Sequence, residues 1–142
     1  MMVVIDTNEL LRMAAARDMS PLFAAWRANR FDLALSSELL AEIRDAANKP
    51  RVRRFLSLVR LQRFISVAID EAVFVELVLS FPHCRDPKDD VVIATAVAAH
   101  AEYIVTNDGD LHEAALVARL RDEWGIQVVW PNEFLETQAL SR

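Results

Sequence analysis

Short apolar runs alternate with longer segments of helical periodicity from one end of this 142-residue chain to the other. That alternation constrains the fold more than any other feature. Strands connected through helices imply right-handed crossovers, hence a parallel sheet covered on both faces. Met2–Ile5 reads as a buried strand, followed by a helix over Thr7–Ala16. Pro21, with Ser20 as its cap, opens a helix to about Asn29. Phe31–Leu35 alternates as a second strand, and Ser36 or Ser37 caps a helix through Ala47. Pro50–Arg63 reads as one helix, with Val52, Phe55, Leu56 and Val59 at helical spacing. Ile65–Ile69 reads as a weak strand, Asp70–Ser80 as a helix and Asp86–His100 as a strong Ala-rich helix. Tyr103–Thr106 and Ile126–Trp130 read as strands around a helix at Glu113–Trp124 that Gly125 ends, and Pro131–Thr137 as a final helix. The expectation is one α/β domain over residues 1–142, with four or five parallel strands flanked by helices on both faces.

Composition removes several function classes. The two glycines, Gly109 and Gly125, cannot build a Rossmann turn or a P-loop. A single cysteine, Cys84, forms neither an intrachain disulfide nor a multi-cysteine zinc site. The opening MMVVID lacks a basic segment followed by a long apolar one, and no apolar run approaches the ~20 residues of a membrane helix. The expectation is a cytoplasmic protein without a membrane partner. Net charge is −5, yet Ile43–Ser66 holds seven basic residues against Asp45 alone. That segment carries +6 and the rest of the chain −11, a polarised molecule.

In open parallel sheets, ligands bind beyond the carboxyl ends of the strands. Asp6 follows the first strand and Asp108 follows the Tyr103–Thr106 strand. Glu42 lies on the helix after the second strand, and Asp86-Pro87-Lys88-Asp89-Asp90 opens the Ala-rich helix. Carboxylates gathered on one edge repel, which drives one to protonate unless a cation intervenes. Mg²⁺ or Mn²⁺ suits an all-oxygen set, orients a phosphodiester and activates water. Each acid also has a plainer reading. An Asp after a strand caps the next helix as readily as it binds metal, and Asp86 before Pro87 is a helix-start pair. Asp89 and Asp90 diverge by about 100° around the helix, and Asp90 lies above the buried stripe, so Asp90 is preferred. Glu38 reads as a surface residue. Asp110 orders the loop or replaces Asp108.

Five segments in order carry a resemblance: Val3-Val4-Ile5-Asp6-Thr7-Asn8, Ser37-Glu38-Leu39-Leu40-Ala41-Glu42-Ile43, Asp86-Pro87-Lys88-Asp89-Asp90 leading into Ile93-Ala94-Thr95-Ala96, Ala101 to Asp108, and Pro131-Asn132-Glu133-Phe134-Leu135. Together they resemble a PIN domain, specifically the bacterial toxin components of toxin–antitoxin pairs of the VapC type. The resemblance implies an Mg²⁺- or Mn²⁺-dependent endoribonuclease that leaves a 5′-phosphate and a 3′-hydroxyl. It matches Asp6, Glu42, Asp90 and Asp108 to the catalytic, metal-holding acids, with Asp86, Asp89 and Asp110 as lesser candidates. Asn8 and Thr106 fall where the family places polar groups that support those acids, and Asn107 occupies a variable position. RNA as substrate, a cognate antitoxin and a homodimer or larger assembly are the partners it implies.

Other signals are open to two readings. Arg53 and Arg60, seven apart, and Arg63 a turn further on read as one face of the fourth helix. That face tracks RNA phosphates, receives an acidic antitoxin segment or is simply solvated. His83, His100 and His112 have no ligand spacing and read as surface or helix-end residues. Trp26, Trp124 and Trp130 read as core, with Leu22, Phe23 and Trp26 an alternative exposed patch for a partner. Two rival functions remain: a PIN-like RNA-binding module that no longer cuts, and an Asp-based phosphotransfer domain. Asn8 stands where a phosphatase of that kind needs a second Asp, and no Lys follows Lys88 for a receiver.

Overall fold

Five parallel strands run side by side in the order β3-β2-β1-β4-β5, in a computed structural model that describes residues 1–77 and 87–140. The strands are β1 (Met2–Ile5), β2 (Asp32–Leu35), β3 (Val73–Phe74), β4 (Tyr103–Val105) and β5 (Gln127–Val129). The helices are α1 (Thr7–Ala16), α2 (Pro21–Arg27), α3 (Ser37–Ala47), α4 (Pro50–Arg53), α5 (Leu58–Glu71), α6 (Pro87–Ala98), α7 (Ala114–Trp124) and α8 (Pro131–Leu140). Val3, Val4 and Ile5 are each 0% exposed. Successive strand residues point to opposite faces, so a run this dry is covered on both. Phe134 of α8 packs edge-on to Phe31 at 5.3 Å and to Tyr103 at 5.6 Å.

The chain starts in the middle of the sheet and moves outward through β2 to β3. It then crosses back over β1 to lay down β4 and β5. The order therefore reverses between β1 and β4, the position at which such sheets open a crevice. Val3 pairs with Tyr103 and Ile5 with Val105. The next residues, Asp6 and Thr106, consequently stand side by side at the carboxyl edge.

Most helix starts are set by local chemistry. Side chains of Asp6, Ser20, Ser36, Ser57 and Glu113 accept backbone N–H bonds from the first turns they precede. Gly125 closes α7 at φ +66°, a left-handed conformation that favours glycine.

Between residues 50 and 77 the chain departs from the elements expected of it. The single helix expected over Pro50–Arg63 is two, because Ser57 caps a new start through its bond from the Arg60 amide at 3.2 Å. Val52 and Leu56 are buried, whereas Phe55 and Val59 are exposed. The strand expected at Ile65–Ile69 is the body of α5. Ile65, Val67 and Ile69 mimic a strand's alternation, but Leu61, Phe64 and Ala68 form the buried helical stripe. In place of a helix from Asp70, α5 ends at Glu71 and β3 follows; residues 78–80 lie outside the described residues. The proposed exposed patch at Leu22, Phe23 and Trp26 is buried. Trp26 packs against Phe23 at 5.9 Å and Phe64 at 6.2 Å. Trp130 is 39% exposed and so is not core. Among the described residues no helix is long and apolar enough to cross a membrane.

Candidate active site

The crevice between β1 and β4 is built on Asp6. Its Oδ1 accepts the Glu9 amide at 2.9 Å, which caps α1, and its Oδ2 accepts the Thr106 hydroxyl. Thr106 Oγ1 in turn accepts the Asp108 amide at 2.9 Å. One hydroxyl thus joins the first acid to the loop that carries the second. Asp108 Oδ1 accepts the Asp110 amide at 3.0 Å, which curls that loop into a short 3-10 turn, Gly109–His112. Asp110 itself is exposed, and it is its backbone amide that makes this bond.

Asp6 is 6% exposed. Burial pushes its carboxyl above the ordinary carboxylate range. The bonds from Thr106 and the Glu9 amide pull it down, and the neighbouring Glu9 and Asp108 charges push it up again. Glu9 is equally buried; its Oε1 accepts the Asn107 side-chain Nδ2 at 2.7 Å and pairs with the Arg12 guanidinium. Glu9 is absent from the sequence-derived acids. Its place three residues after a capping Asp looks like the ordinary N3 position of a helix, and only the fold shows that it is buried in the crevice.

Glu42 and Asp90 arrive on α3 and α6. Glu42 is half-buried with Oε2 shielded from solvent, and Asp90 is half-buried. The two helices are locked by buried Ser36 and Thr95, whose hydroxyls lie 2.8 Å apart. Thr95 spends its hydrogen on the Val91 carbonyl at 2.7 Å, so Ser36 is the donor in that pair. Ser36 Oγ also accepts the Leu39 amide, so one hydroxyl both caps α3 and ties it to α6. Of the four expected acids, Asp6 and Asp108 are brought within electrostatic reach of each other, with Glu9 beside Asp6. Among the described residues no three His, Cys, Asp or Glu side chains converge closely enough to hold an ion. Asp86 and the Asp89 side chain lie outside the described residues.

Other expected residues fall elsewhere. Asn8 is exposed on α1 and lines a shallow groove with Arg12 and Arg51. Arg53 and Arg60 do not share a helix face, because the chain breaks between α4 and α5. Arg53 donates to Asn48 Oδ1 at 3.0 Å and Arg60 to the Ala15 carbonyl at 2.5 Å. His112 is no simple surface residue. Its ring stacks on Trp130 at 3.6 Å and 6°, and its Nε2 lies 2.8 Å from the Thr106 carbonyl. A carbonyl only accepts, so Nε2 carries a proton there. His100 sits at the end of α6 with φ +52°, and His83 lies outside the described residues.

A family model described as PIN domain matches residues 2–110, more than half of the chain. The chain belongs to the PIN-domain family. Its fold is also similar to a chain in the crystal structure of VapBC2 from Rickettsia felis bound to a DNA fragment from their promoter. That likeness has a TM-score of 0.54 at 13% identity, covering 92% of this chain and 98% of that one. No curated protein gives a significant match. The PIN-domain crevice lies at the β1/β4 switch point, and its chemistry suits a hard cation. Asp6, Thr106 and Asp108 offer only oxygens, and an ion that keeps most of its waters needs one or two carboxylates rather than a cluster of three.

Proposed function

We propose that this protein is an Mg²⁺- or Mn²⁺-dependent endoribonuclease acting on single-stranded RNA, the toxin of a VapC-type toxin–antitoxin pair. The observation that carries the proposal is Asp6. Its carboxylate is buried at the switch point, held by the Thr106 hydroxyl and the Glu9 amide, and faces Glu9 and Asp108. Burying an acid among acids costs folding free energy, and a bound cation offsets that cost. Asp6, Glu42, Asp90 and Asp108 are the residues assigned to hold it, with Asp89 the less favoured of its pair. The ion, when bound, supplies charge for the scissile phosphate and lowers the pKa of water.

The chain's own contribution is positioning. Thr106 fixes the Asp6 carboxylate and the Asp108 backbone together, and the Ser36–Thr95 pair fixes α3 against α6. A VapC-type role brings a cognate antitoxin, self-association and a cytoplasmic location with it. The similarity to a chain of VapBC2 bound to a promoter DNA fragment supports the antitoxin part of the reading. The test is cleavage of a single-stranded RNA by purified protein in Mn²⁺, in Mg²⁺ and in EDTA. Cleavage in either metal, abolished by EDTA and by Asp6→Asn, is expected. RNA binding without cleavage in both metals would favour the non-cutting module, and cleavage that persists in EDTA would overturn the metal dependence.

A further inference from the structure

A groove of about 180 Å³ opens beside the crevice, lined by Asn8, Leu11 and Arg12 of α1 and by Arg51, Val52 and Phe55 around α4. Three features set it apart from an ordinary surface dent. Arg12 is pre-positioned: buried Glu9 holds one edge of its guanidinium, while the side chain is 61% exposed. A guanidinium has five N–H donors, so most of them remain for a ligand. Arg51 is exposed and makes no ion pair among the described residues, although the protein as a whole is acidic. Phe55 presents a ring that is 48% exposed, while its neighbours Val52 and Leu56 are buried and root it.

The groove is also wired to the crevice. Glu9 Oε1 binds both Arg12 and the side chain of Asn107, the residue between Thr106 and Asp108. Two cations, an amide and an aromatic face are the chemistry that grips a single-stranded nucleotide: guanidinia on the phosphates, a ring under the base. We propose that this groove is the subsite for a nucleotide flanking the scissile phosphate of single-stranded RNA, with Phe55 stacking the base and Arg12 and Arg51 holding the backbone. The assignment rests on the ribonuclease reading and deepens it. It also moves the RNA contact from the expected Arg53, Arg60 and Arg63 face, from which the break before α5 separates Arg53, to the α1–α4 groove.

The test uses the full chain and a fluorescein-labelled single-stranded RNA decamer. Affinity is measured by anisotropy across a salt series in Ca²⁺, and kcat and KM in Mn²⁺. Phe55→Ala is expected to weaken binding about 10-fold, with Phe55→Tyr restoring it, because base stacking on an aromatic ring is lost and regained. Arg51→Gln is expected to lower the slope of log K against log salt by about 0.7, the loss of one phosphate contact. Both raise KM and leave kcat within about twofold of wild type. Arg121→Gln on α7, which removes the same charge elsewhere, is expected to bind as wild type does. Wild-type protein that binds and cuts RNA while Phe55→Ala and Arg51→Gln match it overturns the subsite alone, and an acidic antitoxin segment becomes the occupant to pursue. Wild-type protein that neither binds nor cuts overturns the ribonuclease reading and the subsite with it.

Discussion

Asp6→Asn is expected to stabilise the metal-free protein while destroying the site. In the native chain the Asp6 carboxylate receives two hydrogen bonds, from the Glu9 amide and from Thr106. Changing a charged acceptor to a neutral one weakens each by about 1 kcal/mol. Asn remains a good helix cap, so the Glu9 bond persists. Its amide faces Thr106 Oγ1, which already accepts the Asp108 amide, so the Thr106 hydrogen must turn elsewhere. Against that loss of about 2 kcal/mol stands the removal of a buried charge, which costs several kcal/mol even after relaxation. Burial and the like charges of Glu9 and Asp108 hold the Asp6 carboxyl up despite the two bonds, so the charge is the costlier side. A higher Tm for the variant follows, by a few degrees for each ~1 kcal/mol gained in a chain of this size.

The sign of the pH dependence is fixed too. With a folded-state pKa above the ordinary 3.8, the penalty is absent below that value, where Asp6 is protonated in both states. It grows as pH rises and is complete above the folded pKa. Thermal melts in EDTA from pH 3.5 to 8 should therefore show the two proteins converging in acid and the variant pulling ahead towards neutrality. Adding Mn²⁺ should raise the Tm of wild type and leave the variant nearly unmoved. A variant less stable than wild type at pH 7 in EDTA, or a gap that does not change with pH, would refute the reasoning.

Three further perturbations have defined outcomes. Asp90→Ala should lose nearly all RNA cleavage while Asp89→Ala keeps most of it, since adjacent positions on a helix diverge by about 100°; the reverse ranking in a turnover assay would put the wrong helix face in the site. His112→Ala removes the bond to the Thr106 carbonyl and the stack on Trp130, and should lower stability by about 1–2 kcal/mol in urea unfolding. Phe134→Ala empties a fully buried position between Phe31 and Tyr103 and should cost about 3–5 kcal/mol, read the same way.

What could be read from the chain alone follows the range of the interactions involved. The four longer strands and the starts of α1, α2 and α3 were legible because short apolar runs, the Phe31–Leu35 alternation and capping Asp6, Ser20 and Ser36 act within a few residues. The Arg54–Ser57 break was not, because Val52, Phe55, Leu56 and Val59 satisfy helical spacing whether or not the helix continues. Only tertiary burial decides that Phe55 and Val59 face water. The same limit governs the site. Asp6 and Asp108 could be placed at the edge because each follows a strand, and a parallel sheet brings strand ends to one edge; Thr106 was picked out only by the family resemblance. Glu9 and His112 could not. Each sits in a local pattern with a sufficient bland explanation, a first-turn acid and a surface or helix-end histidine, and acquires its role from partners 98 and 6 residues away. The two readings of Asp6, helix cap and site acid, do not compete. Oδ1 binds the Glu9 amide while Oδ2 binds Thr106, and each oxygen has a second lone pair. The cap aims the carboxylate into the crevice, so the local role is what makes the long-range one possible.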